Sequence, residues 1–189
     1  MNRRLALIAA LLAAVPLLQG CFPFIAGGAA AGAVMVDDRR TTGVYIEDEN
    51  IEWKVLGRIH GDFKASHINA TSYNLRVLLT GEVADEETKA KVEAMVRTVQ
   101  SVKDVANELA VGGNSSLTSR GNDSLITTNV KARMVNNGKF SPSHVKVVTE
   151  ANVVYLMGLV SPEEGEAAVE VARTTQGASS VVKAFEYTK

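Results

Sequence analysis

The residues able to do chemistry in this 189-residue chain are few: one Cys at 21, three His at 60, 67 and 144, and two pairs of adjacent carboxylates, Glu86-Glu87 and Glu163-Glu164. A lone thiol cannot close an intramolecular disulfide, and three His with no second Cys leave little from which to assemble a zinc site. No Ser/His/Asp, Cys/His or phosphate-loop spacing is present, so no catalytic residue, no metal ligand and no cofactor is assigned. His67 and His144 recur at equivalent positions at predicted strand starts, where they read as residues serving the fold, and His60 lies near a helix end. Both Glu pairs fall in predicted first helical turns, where negative charge complements the helix dipole. The sequence reads as a non-enzyme, and the reactive group left to explain is Cys21.

Residues 1–20 carry Arg3 and Arg4, an apolar run over 5–18 and a small or polar end, which is the layout of a secretory signal peptide. The apolar run of about 14 residues falls short of the roughly 20 needed to span a bilayer. Leu17-Leu18-Gln19-Gly20-Cys21 resembles the bacterial lipobox, cut before a Cys whose thiol has received diacylglycerol. The alternative is an ordinary signal peptide with a free Cys near its cleavage site. A Cys21 bearing several palmitate-like chains is a durable anchor, because each buried methylene contributes about 0.8 kcal/mol. Phe22 follows, where an Asp would resemble an inner-membrane retention signal, so the motif implies a lipid-anchored, periplasm-facing protein of a Gram-negative outer membrane.

Composition narrows the partners. With 46% hydrophobic and 22% charged residues the chain is neither disordered nor collagenous. The formal charge of −1 becomes −3 once Arg3 and Arg4 are removed, which excludes the basic footprint of a nucleic-acid binder and any general attraction to anionic lipid. Residues 22–36 are rich in Gly and Ala, including Gly27, Gly28 and Gly32, and are too short to cross a membrane. They read as a flexible or interfacial tether, 21–45, rather than a glycine-zipper helix.

Beyond the tether the chain repeats itself. Ile51-Glu52-Trp53-Lys54-Val55 lies on Ile126-Thr127-Thr128-Asn129-Val130, Ser66-His67-Ile68 on Ser143-His144-Val145, 77–83 on 154–160, and Arg97-Thr98 on Arg173-Thr174. This order argues for duplication. Each copy predicts helix, hairpin, helix and final strand. Ile51, Val55, Ile59 and Ile126, Val130, Met134 give the first helices a core stripe. Asn122-Asp123-Ser124 offers caps for the second of these. Hairpins are expected over 68–73 with 75–83 and over 144–149 with 153–160. The second helices run 85–100, burying Val92, Val96 and Val99, and 161–176, opened by Ser161-Pro162-Glu163-Glu164. The last strands cover 105–111 and 181–187. Gly81 and Gly158 occupy the same hairpin position, which implies a bulge or a close backbone approach. The expected architecture is α+β: two tandem αββαβ domains, 46–112 and 122–189, joined by a flexible Gly/Ser-rich linker, 113–121, each a small three-stranded mixed sheet packed against two helices.

A hairpin Gly followed by Val and an acidic helix start, Gly81 to Asp85 and Gly158 to Glu163, resembles the BON domain, a bacterial module associated with osmotic protection and phospholipid binding. Asn122-Asp123-Ser124-Leu125-Ile126-Thr127-Thr128, Tyr155-Leu156-Met157-Gly158-Leu159-Val160 and Ala184-Phe185 are particularly close to lipid-anchored members with two copies. The resemblance implies a non-enzymatic lipoprotein that engages anionic phospholipid, such as phosphatidylglycerol, through the first helix of the second copy. It further implies support of envelope integrity, with a role at the division site.

The residues offer a face for such contact. At 100° per residue Leu125, Ala132 and Val135 fall opposite the core stripe, with Thr128 between them, Lys131 and Arg133 beside them and Lys139 just beyond. An apolar ridge flanked by cations suits docking on anionic headgroups, or packing against the other copy. The first copy is the contrast: Trp53 and Leu56 lie off its core face, but Glu47, Asp48, Glu49 and Glu52 would repel an anionic membrane, so Trp53 is expected to pack against the other copy or the linker. Relatives can carry a Trp where Leu125 stands, and its loss weakens insertion. The other reading of the chain is an adaptor for peptidoglycan, or for an outer-membrane assembly or division-site protein.

Overall fold

The computed structural model describes residues 37–188, so the expected signal peptide, Cys21 and the tether up to residue 36 lie outside the described residues. Thr41 opens helix α1 (Thr42–Asp62) by accepting the Val44 N–H at 3.2 Å. The helix buries Ile51, Val55 and Ile59, as their spacing predicts. Strands β1 (His67–Tyr73) and β2 (Arg76–Val83) pair antiparallel. Helix α2 (Glu86–Arg97), capped by Asp85, buries Val92 and Val96. Strands β3 (Asp104–Asn107) and β4 (Ala110–Val111) both run parallel to β2. The second copy repeats this with α3 (Leu117–Val135), a 3-10 turn (Pro142–His144), the hairpin β5 (Val145–Glu150) and β6 (Val153–Val160), α4 (Pro162–Arg173), and β7 (Ser180–Tyr187) parallel to β6. The α+β class and the αββαβ order are as expected. Among the described residues no helix is long and apolar enough to cross a membrane.

Three local expectations are corrected. The last strand of the first copy is split, because the Asn107 side chain accepts the Leu109 N–H at 3.3 Å and turns Leu109 into the core. Helix α3 begins at Leu117 rather than near residue 122, since Ser116 is its cap, accepting the Ser119 N–H at 3.1 Å. Asp123 is therefore no cap but a buried mid-helix carboxylate. The Gly/Ser-rich connection is also tied down: Asn114 accepts the His67 N–H at 3.2 Å and donates to the Ala65 carbonyl at 3.0 Å.

Both hairpins turn on two residues in the left-handed region, Asn74 and Leu75 in the first and Ala151 and Asn152 in the second. Positive φ at both positions is the type I′ geometry that matches strand twist, yet Leu and Ala adopt it reluctantly. The buried carboxylates hold it. Asp48 accepts the N–H groups of Asn74 and Leu75 at 2.9 and 2.8 Å, and Asp123 those of Ala151 and Asn152 at 3.1 and 2.8 Å. At the other end of each hairpin, a Cβ on Gly81 would collide with the His67 carbonyl and one on Gly158 with the His144 carbonyl.

Strand alternation accounts for both faces of both sheets. Val77, Leu79 and Val83 face the first pair of helices, and Val154, Leu156 and Val160 the second. The opposite faces meet each other, burying Tyr73, Leu78, Tyr155 and Met157 in a third cluster. The layers therefore run helices, sheet, sheet, helices. Residues 37–40 fasten the seam. Arg39 reaches the second copy, donating to Glu164 and to the Leu159 carbonyl. Arg40 stays on the first, paired with Asp48 at 2.9 Å and lying over the Tyr73 ring at 4.0 Å.

Candidate functional site

The outer face of α3 is where the second copy offers an unused surface. Ile126, Val130 and Met134 turn inward, so residues half a turn away must look outward. Leu117, Leu125 and Val135 are 82%, 64% and 67% exposed. With Gly121, Thr128 and Ala132 they line one stripe along a 19-residue helix, about 28 Å at 1.5 Å per residue. The hydroxyls on this stripe are turned back on the helix: Ser124 Oγ donates to the Arg120 carbonyl at 3.0 Å and Thr128 Oγ1 to the Ser124 carbonyl at 2.9 Å. That leaves a largely apolar outer surface.

The cations divide. Lys131 and Lys139 are exposed, and among the described residues neither forms an ion pair. Arg133 is otherwise committed: its guanidinium donates to the Val171 carbonyl at 3.1 Å and to Thr175 and Thr174 at 2.8 Å each, closing the end of α4. It braces α3 against its neighbour. Asp123, the acid that sequence places near this face, is withdrawn into the hairpin turn.

The route of the chain into the fold is also informative. Asp37 accepts hydrogen bonds from Ser141 and Ser143 at its carboxylate, and from His144 Nε2 at its carbonyl, 2.8 Å away. These residues belong to the segment that follows α3, whose 3-10 turn packs against that helix. Asp37, the first described residue, therefore lies beside the loop after α3.

In the first copy the structure corrects two expectations. Trp53 does not pack against the other copy or the linker but is 75% exposed, and Ile46 shares its face. Leu56 sits at the rim of the first core. The acids of α1 are not a free repulsive patch either: Asp48 is buried, and Glu52 accepts the Ser72 N–H and Lys146 Nζ, each at 2.7 Å. The Glu pairs occupy helix starts. Ser161 and Glu164 form a capping box, with N–H to oxygen distances of 3.2 and 2.8 Å. What the sequence did not reveal is the gathering of His67, Glu82 and Glu150 across the seam.

A family model described as BON domain matches residues 47–113 and 122–189. The outer membrane lipoprotein DolP of Haemophilus influenzae is 39% identical over 183 residues, 95% of this chain and 95% of that one. A 21 kDa hemolysin of Actinobacillus pleuropneumoniae is 31% identical over 153 residues, 79% of each chain. The osmotically-inducible protein Y of Escherichia coli is 26% identical, covering 80% of this chain and 78% of its own.

Proposed function

This chain belongs to the BON-domain family, and from that premise we propose that it docks on anionic phospholipid of the phosphatidylglycerol kind through α3, as a non-enzymatic contributor to envelope integrity. It is a lipid-anchored outer-membrane protein that faces the periplasm on this reading, and its relative from Haemophilus influenzae is an outer membrane lipoprotein. The observation that carries the proposal is the exposed stripe of Leu117, Leu125 and Val135 with Lys131 and Lys139 free beside it. Each such cation contributes about 1 kcal/mol near an anionic surface, and apolar side chains lowered into the interface add about 25 cal/mol per Å². The stripe is shallow, so affinity rests on several weak contacts together. A lipidated Cys21 would supply what they lack: a tether raises the local concentration of surface, turning weak docking into an intramolecular event.

Vesicle flotation tests this. Vesicles containing phosphatidylglycerol should retain the protein and pure phosphatidylcholine vesicles should not, with Leu125→Glu and Lys131→Glu each abolishing the difference. Equal retention on both vesicles sinks the lipid reading.

Trp53 favours a second reading, an adaptor. A ring 75% exposed beside Ile46 suits a protein partner in the assembly or division machinery, or a peptidoglycan surface. In cells, one dominant cross-linked partner lost with Trp53→Ala would support it, and would leave flotation unchanged.

A further inference from the structure

Three side chains from the two copies converge where the sheets meet: His67 of β1, Glu82 of β2 and Glu150 of β5. His67 Nδ1 lies 3.1 Å from Glu82 Oε2 and 3.7 Å from Glu150 Oε1, and one ligand-type atom from each residue falls within 4.8 Å of the others. Metal–ligand bonds of about 2.0 Å in a tetrahedral shell place neighbouring ligand atoms about 3.3 Å apart. The cluster is already close to that spacing.

Its carboxylates are poorly served by the protein alone. Glu82 and Glu150 are only 7% and 6% exposed. Glu150 Oε2 accepts from Asn69 at 2.9 Å, but among the described residues no hydrogen bond reaches Oε1. Burial pushes the Glu150 carboxyl above the usual range; the Asn69 hydrogen bond and His67 oppose this, while Glu82 and Asp123 add to it. Glu82 Oε2 accepts the Ser115 N–H at 3.1 Å. Arg120 is nearby, but its guanidinium is turned to Ser115 and pairs with neither carboxylate. A cleft of about 280 Å³, lined in part by His67, Arg120, Asp123 and Glu150, opens onto the group. Two buried carboxylates so close repel each other, and a single imidazole is a weak answer to that repulsion.

We propose that His67, Glu82 and Glu150 form a zinc site that joins the two copies, with the fourth position open to water from the cleft. One imidazole nitrogen and two carboxylate oxygens are a donor set that Zn²⁺ accepts, whereas Mg²⁺ and Ca²⁺ favour all-oxygen shells. Because the ligands come from β1, β2 and β5, the metal would lock one sheet against the other. All three ligands come from strands, so metal binding is read separately from lipid docking on α3, whose residues line only the cleft.

The test uses the full chain, purified in detergent without a polyhistidine tag, stripped with EDTA and titrated with ZnCl₂ by calorimetry. Saturable binding of one Zn²⁺ per chain is expected, with a raised thermal midpoint. Glu150→Gln and His67→Asn should each weaken binding more than about tenfold, and His60→Ala should not change it. Absence of saturable binding, or binding that survives both substitutions, overturns the proposal. Should either variant lose its far-ultraviolet dichroism, the Co²⁺-loaded unmodified chain decides: intense four-coordinate visible bands support the site, and a water-like octahedral spectrum overturns it.

Discussion

Asp48 and Asp123 are counterparts in the two copies, each a buried helical carboxylate accepting both N–H groups of its copy's hairpin turn. Removing one strands two donors and releases two residues from the left-handed region. Asp123→Ala should therefore cost about 2–4 kcal/mol. Asp48→Ala should cost more, because Asp48 also accepts from Ser72 Oγ at 2.7 Å and pairs with Arg40. Urea unfolding of the two variants checks this ranking, which fails if the Asp123 variant is the less stable.

The glycines divide by the space around them. Gly81 combines a φ of +112° with backbone contact to β1, so Gly81→Ala is expected to lose more than about 2 kcal/mol. Gly57 lies inside α1 with no heavy atom near an added Cβ, and Gly57→Ala should gain about 0.5–1 kcal/mol. Thermal melts of the pair should move in opposite directions.

Periodicity made the fold legible. The 3.6-residue spacing of Ile126, Val130 and Met134 marks the inward face of α3 whatever the sheet does, and therefore the outward face as well. It could not separate Lys131 from Arg133, because only tertiary contact with the end of α4 commits the arginine. It also misread Asp123: Ser, Asn and Asp before an apolar run look like caps, and the competing use, holding a type I′ turn 28 residues later, is non-local. The seam between the sheets stayed hidden for a related reason. Tyr155, Met157 and Leu159 alternate with equally apolar residues, so β6 reads as buried without saying against what.

Acid should release residues 37–40 from the second copy. Hydrogen bonds from Ser141 and Ser143 and the charges of His144 and Arg39 hold the Asp37 carboxyl below its ordinary 3.8, although desolvation opposes them. Burial opposes the charge of Glu164 most strongly, yet Arg39 and the Ser161 N–H hold it below 4.5. Both groups have depressed values in the fold. Their contribution is present above the ordinary carboxylate range and is lost as pH falls through the folded values. Protection of the Arg40 amide, which donates to Asp38 Oδ1 at 2.8 Å, should hold from pH 8 to about pH 5 and fall below about pH 4. Loss of protection between pH 7 and 6 would instead point to a histidine.

Arg133 and Lys131 sit two residues apart on α3, and the structure gives them different work. Arg133→Gln removes three hydrogen bonds to the end of α4 and should lower stability by about 1–2 kcal/mol. Its effect on retention by phosphatidylglycerol vesicles should be small wherever the protein is folded. Lys131→Gln breaks no side-chain hydrogen bond or ion pair among the described residues and should leave the melt within about 0.5 kcal/mol of the parent. Yet it should weaken vesicle retention about fivefold, the equivalent of one cation near an anionic surface. Measuring melts and flotation on the same two proteins tests the division directly. Equal losses of retention would mean that Arg133 leaves α4 to meet the headgroups, and that its bracing role is given up when the helix docks.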